Sequence, residues 1–203
     1  MSKLLAVAAG LTMAAGAMAT TPQTVSGQGF SIPDNTPGGA SSSVTVNTGG
    51  AGFTVLGVSF NGLNHTWAGD LVMTLTGPGS GNSFAFHYRP GWTGTGFGFN
   101  MDYVTANSYG FFDGGTPYPA AAVAVLPSGN YAPVAGSGAP AQSINSFAGM
   151  AGTDGTWTLR IEDNASGDLG SLNGWTLHYK AVPTPGAAAL LGVAGLAGLR
   201  RRR

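Results

Sequence analysis

Apolar and polar positions alternate with a period of two along the middle of the chain. Leu71, Met73 and Leu75 alternate with Val72, Thr74 and Thr76, and Phe84, Phe86 and Tyr88 alternate with Ala85 and His87. Further on, Trp157, Leu159 and Ile161 alternate with Thr158, Arg160 and Glu162, and Trp175, Leu177 and Tyr179 with Thr176, His178 and Lys180. A period of two puts one set of side chains on a core face and the other outward, which predicts strands over these spans. Residues 43–47 (SVTVN), 53–60 (FTVLGVSF) and 120–126 (AAAVAVL) predict shorter ones. Gly, Pro, Asn and Asp punctuate the gaps, and no amphipathic helix of useful length interrupts them. Many short strands joined by polar turns predict an all-β domain, a jelly-roll-like β-sandwich. Segments 89–118 and 127–149 read as long loops, the first rich in Gly and aromatics, the second in Ala, Gly, Ser and Pro.

Both ends break this pattern. Residues 1–19 (MSKLLAVAAGLTMAAGAMA) hold one lysine, then an apolar run ending in Ala17-Met18-Ala19. That is the form of a secretory signal peptide, with cleavage expected between Ala19 and Thr20. At the other end, Val182-Pro183-Thr184-Pro185-Gly186 stops a preceding strand, because proline lacks the backbone donor. Residues 187–199 (AAALLGVAGLAGL) are uncharged and suited to a helix, and Arg200 to Arg203 close the chain. An apolar span of about 20 residues crosses a bilayer comfortably. This one is shorter, and its arginines favour the cytoplasmic side. A proline motif, a short apolar helix and an arginine cluster together resemble a PEP-CTERM sorting signal. Pro183, Thr184, Pro185 and Gly186 stand where that signal carries Pro-Glu-Pro. The resemblance implies an exosortase-like sorting machinery beside signal peptidase, and transient membrane association through the C-terminal helix. The alternative is a plain tail anchor. The organisation expected is a signal peptide over 1–19, a β-sandwich over 20–181 and a sorting tail over 182–203.

Composition narrows the chemistry. Only 8% of the 203 residues are charged, against about 25% in an average soluble domain. The chain has no cysteine, which excludes a disulfide scaffold, a thiolate nucleophile and any Cys-ligated metal. The formal net charge of zero hides a segregation. With Lys3 and the four terminal arginines set aside, Arg89, Arg160 and Lys180 face eight acidic residues, so the body carries −5. That argues against nucleic acid as a partner and leaves room for a cation.

Two segments carry a denser pattern. Residues 62–78 read GLNHTWAGDLVMTLTGP, in which His65, Thr66, Gly69, Asp70 and Leu71 form His-Thr-x-x-Gly-Asp-Leu. Residues 155–179 read GTWTLRIEDNASGDLGSLNGWTLHY. There Gly155, Trp157, Leu159 and Asp163 form Gly-x-Trp-x-Leu-x-x-x-Asp, followed by Asp168, Gly170 and Leu172, then Trp175 and Leu177. These motifs, with Phe30 to Asn35 as an opening strand, resemble the P domain, also called P/Homo B. That β-sandwich follows the catalytic domain of subtilisin-like proprotein convertases and occurs in other secreted bacterial proteins. The acidic stretch often found in its middle is reduced here to Asp102 and Asp113.

The candidate chemistry is sparse. His65 and Asp70 are close in sequence, but no Gly-x-Ser-x-Gly elbow supplies a nucleophile. The resemblance implies that catalysis belongs to a separate domain, so this chain is expected not to be an enzyme. His65, His87 and His178 lack His-x-His or His-x-x-x-His spacing for zinc, and no phosphate-cradling motif is present. Between the two tryptophan strands, 163–174 (DNASGDLGSLNG) predicts a long connection in which Asp163, Asn164 and Asp168 accept backbone N–H groups. Asp70, just after Gly69, is expected to cap the turn after His65-Thr66. Calcium takes six to eight oxygens. The acidic body and the oxygen-rich 163–168 loop make Ca2+ the candidate cofactor, with Asp163 and Asp168 as ligands and Asp70 or Asp34 as further ones. The alternative is an Asp-rich turn. Trp92, Tyr109 and Tyr118 are the aromatics expected at the surface, to stack on sugar rings or to close their own loops.

The expected function is that of a non-catalytic exported module, sorted to the cell envelope, cell surface or extracellular matrix of a bacterium. Its role there would be structural, adhesive or binding, toward extracellular polysaccharide or protein. The alternative is an accessory P domain that supports or regulates a subtilisin-like serine endopeptidase, a secreted protease, in trans.

Overall fold

A computed structural model describes residues 21–182. The signal peptide with its Ala19–Thr20 cleavage point, the sorting motif Pro183 to Gly186 and the C-terminal helix lie outside the described residues. Ten strands are found among the described residues. They are β1 (Gln23–Ile32), β2 (Thr36–Val46), β3 (Phe53–Asn61), β4 (Leu71–Thr76), β5 (Ser83–Tyr88), β6 (Tyr109–Thr116), β7 (Gly129–Tyr131), β8 (Val134–Ala135), β9 (Gly155–Asp163) and β10 (Gly170–Ala181). A 3-10 turn, Ala68–Asp70, precedes β4.

The strands form two five-stranded sheets, ordered β1-β10-β3-β6-β7 and β2-β9-β4-β5-β8. Both sheets are mixed. All neighbours are antiparallel except β6–β7 and β5–β8 at the far edges. The sheets pack face to face, as the aromatic contacts between them show. Phe53 of β3 meets Trp157 of β9 at 5.5 Å between ring centroids, and Phe86 of β5 meets Phe111 of β6 at 5.4 Å. The architecture is an all-β sandwich of the kind that alternation predicts.

Strand parity follows the sequence along most of β9 and β10, whereas Val72 and Thr74 of β4 and His87 of β5, expected to face outward, are buried, and Tyr88, expected to face inward, is half-buried. Trp157, Leu159 and Ile161 are fully buried, as are Leu71, Met73 and Leu75 on the neighbouring strand. Trp175, Leu177 and Tyr179 face the same core from the other sheet. The outward set on these strands pairs across the ladder through hydroxyls. Ser43 Oγ lies 2.8 Å from Thr158 Oγ1, and Ser26 Oγ lies 3.1 Å from Thr176 Oγ1.

Three expectations need correction. Residues 120–126 do not form a strand. Their alanines give too little apolar area for a core face, so only Leu126 is buried while Val123 and Val125 are exposed. The C-terminal end of the segment is tethered instead: Asp102 N donates to Ala124 O, Leu126 N to Asp102 O, and Asn107 Nδ2 and the Tyr109 hydroxyl to Leu126 O. Conversely, the segment read as loop over 89–118 contains β6, and that over 127–149 contains β7 and β8. Finally, Tyr109 and Tyr118 are core residues, 2% and 8% exposed, and are no surface platform for sugars. Trp92 is half-buried, with the Arg89 guanidinium 4.8 Å from its ring.

Candidate functional site

Ladder register collects the motif residues at one end of the sandwich. Leu71 lies opposite Asp163, Thr36 opposite Asp163 on the other side, and Ile32 opposite Gly170. The β1–β2 turn, the 62–70 loop and the 164–169 loop therefore meet at one corner. His65 and Asp163, separated by 98 positions, form a fully buried pair with Nε2 3.2 Å from Oδ2. His65 Nδ1 accepts the Trp67 backbone N–H at 3.1 Å. That leaves the ring proton on Nε2, donated to Asp163, so both ring nitrogens are engaged and neither is free to serve a nucleophile. Gly170 makes this closure possible: a Cβ there would stand 2.6 Å from His65 Cδ2.

The carboxylates expected to bind calcium come to this corner, and three of the four accept a distinct hydrogen bond. Asp163 Oδ1 accepts Ala165 N at 3.1 Å, Asp34 Oδ1 accepts Gly167 N at 3.0 Å, and Asp168 Oδ1 accepts the Thr66 hydroxyl. Asp163 thus folds its loop as expected, while Asp168 ties that loop to the 62–70 loop. Asn164 acts as a donor, its Nδ2 reaching Asp70 O at 3.3 Å. Asp70 departs from expectation. Its side chain caps no turn; it is 2% exposed and faces Arg89, whose Nη2 lies 3.6 Å from Oδ1. Burial, then the negative Asp163, push its carboxyl up to about 7; Arg89 opposes this and Asp168 adds to it. Among the described residues, no group of three or more His, Cys, Asp or Glu side chains is placed to hold a metal ion.

Sequence reasoning missed the third wall of the corner. Residues 89–99 fold back onto the 3-10 turn: Gly69 N donates to Phe99 O, Trp67 Nε1 to Phe97 O, and Arg89 Nε to Gly69 O. Gly69 admits this approach because a Cβ would stand 2.3 Å from Phe97 O, and Gly98 has φ +72° at the same crossing. A cavity of about 150 Å3 results, lined by Trp67, Asp70, Phe97, Ser166 and Asp168. The paired close approach of Gly69 and Gly98 was its only trace in the sequence, and glycine is too frequent here for that to stand out.

A second buried polar system lies deeper. His87 Nδ1–H donates to Leu71 O at 3.2 Å, and Nε2 accepts the Tyr103 hydroxyl at 2.9 Å. Tyr118 Oη lies 3.1 Å from Tyr103 Oη and completes the chain. Burial pushes His87 down to about 3 and raises both phenols. His178, on the outer face of β10, lies 2.8 Å through Nε2 from Ser59 Oγ. The three histidines occupy three different hydrogen-bond systems.

Compared with known families, residues 140–179 match the proprotein convertase P-domain. This segment contains β9, the loop carrying Asp163 and Asp168, and nearly all of β10. No curated protein and no solved structure matched the chain.

Proposed function

We propose that the whole body is a jelly-roll-like P-domain sandwich, acting as a non-catalytic exported module delivered to the cell envelope or extracellular matrix. The observation that carries this reading is the buried His65–Asp163 pair. It joins the His-Thr-x-x-Gly-Asp-Leu motif, outside the matched segment, to the Asp that ends the first strand inside it. A likeness confined to 140–179 would leave the first motif without a structural partner. Instead the two interlock, and His65 is spent on holding the corner closed. That use of the residue supports a scaffolding and binding role over acid–base chemistry.

Export and sorting rest on the two terminal segments. In the host, deletion of 183–203 is expected to move the protein from the envelope to the medium, with its β-rich circular dichroism spectrum intact. Unchanged localisation would reject the sorting role. Pull-down of the full chain from envelope fractions separates the two forms of the proposal. Retention of polysaccharide supports a matrix module; recovery of a subtilisin-like endopeptidase supports an accessory P domain acting in trans.

A further inference from the structure

The corner cavity holds an unmet electrostatic demand that the sorting role does not use. Asp70 is 2% exposed, and its Oδ1 has no hydrogen-bond partner. The nearest cation, Arg89 Nη2, stands 3.6 Å away, past hydrogen-bonding reach. A buried carboxylate oxygen without a donor is costly, so this end of the molecule lacks one donor group. Asp70 shares its cavity of about 150 Å3 with a second carboxylate, Asp168, the Ser166 hydroxyl and the rings of Trp67 and Phe97. The two rings meet edge to face, 6.3 Å between centroids.

We infer that this cavity receives the ammonium head of a lysine side chain from a partner polypeptide. An ammonium brings three donors and no acceptor, matching a cavity whose polar lining is two carboxylates, Asp70 and Asp168, and the Ser166 hydroxyl. The Trp67 and Phe97 rings supply apolar surface for the methylene stem of the lysine. A hard divalent ion is the poorer match, because it wants six to eight oxygens and two of the five lining residues are aromatic. The rim suits a polypeptide partner. Phe97 is 60% exposed and Leu169, next to Asp168, is 73% exposed. Apolar residues around a charged centre exclude water from it when a partner seats. The body's own lysine cannot serve: Lys180 pairs with Thr54, at the far end of β3 from the 62–70 loop. The inference goes beyond the proposed function, since export and sorting can hold or fail without it.

The test uses the full chain, 15N-labelled, with the Trp67 indole N–H resonance as reporter and Nα-acetyl-lysine N-methylamide as probe. Expected is a saturable shift with a dissociation constant on the order of millimolar, weakened about tenfold by Asp168→Asn. The norleucine analogue at matched ionic strength should give no shift. Asp168→Asn keeps an oxygen acceptor for the Thr66 hydroxyl, so the corner stays folded in that variant; Asp70→Asn is the second test, checked for an unchanged spectrum elsewhere. Absence of a lysine shift, an equal shift from norleucine, or unchanged affinity in Asp168→Asn would overturn the inference. Saturation by CaCl2 that excludes the lysine probe would also overturn it, and would assign the corner to a metal.

Discussion

Replacing Trp157 with alanine is expected to cost about 3–5 kcal/mol of folding stability. The ring is fully buried on β9, which is paired on both sides, to β2 and to β4. It meets Phe53 across the sandwich, and its Nε1 donates to Thr153 O at 3.1 Å. Gly77 shows how closely it is enclosed, since a Cβ there would stand 2.7 Å from Trp157 Cη2. Two ladders fix the strand, so the sheets have little freedom to close over the hole, and the cavity cost adds to the lost burial. Trp175→Ala is expected to behave alike. Its ring is 1% exposed, lies over Gly27 on β1, and donates to Ser42 Oγ of the opposite sheet at 3.2 Å. A domain of this size has a total stability of about 5–15 kcal/mol, so either change removes a large part of it. Thermal melts should fall by roughly 6–20 °C. A melting temperature within a degree or two of wild type would show that the sheets can close over the space.

The second large effect is a pH dependence that two groups hide from each other. His87 titrates at about 3 in the folded chain because it is buried, whereas an unfolded histidine titrates near 6.5. Between these values the unfolded state takes up a proton that the folded state refuses. Stability is therefore full above about 6.5 and falls by about 1.4 kcal/mol per pH unit on acidification, on the order of 5 kcal/mol by pH 3. Asp70 has the opposite sign. Its folded value is raised from 3.8 to about 7, so its contribution is fully present below about 4 and is lost as pH rises through 7. From about pH 4 to 6.5 the two slopes cancel. His178, also lowered by burial, adds to the sign of His87, and Asp154, lowered mainly by its Thr48 hydrogen bond, weakens the fold only at the acid extreme. The expected result is read as a difference. Asp70→Asn, which takes no proton, should keep only the His87 slope and so lose about 1.4 kcal/mol relative to wild type for each pH unit of acidification across that window. Urea titrations at half-unit steps measure it. Parallel pH profiles would mean that Asp70 ionises as an ordinary carboxylate.

The strands that sequence reveals are those that place a large apolar side chain at every second position. β9 and β10 bury alternate residues along most of their length, and β4 and β5, though more fully buried, keep that period of two in residue type, so it is visible without any structure. β6 has no such period. It buries three consecutive residues, Tyr109 to Phe111, and then runs out to solvent over a glycine pair, so it reads as loop. β7 and β8, three and two residues long, are held by parallel pairing to β6 and β5 and lie below any local signal. The run at 120–126 fails for the opposite reason, having alternation without enough side-chain volume to bury. The corner divides along the same lines. Asp163, Asp168 and His65 sit in dense motifs. Arg89, Trp67 and Phe97 belong to the site through hydrogen bonds that end on backbone carbonyls between 62–70 and 89–99, and a backbone acceptor leaves no trace in residue type. Nor does the sequence show that Asp70 faces Arg89 at 3.6 Å, the spacing on which its proton affinity depends.

The register of β1 on β10 also gives the body a pole and a reach. Ile32 lies opposite Gly170 beside the corner, while Gln23 lies opposite Tyr179 at the other end, where Val182 N bonds Gly52 O. Whatever grips the chain beyond residue 182 thus pulls on the end remote from Trp67 and Asp168. The twelve residues of β10 set the standoff between grip and corner at about 40 Å, at about 3.3 Å per residue. Removing two facing residues from each strand of the ladder would shorten that standoff by about 7 Å and keep every side chain on its own face.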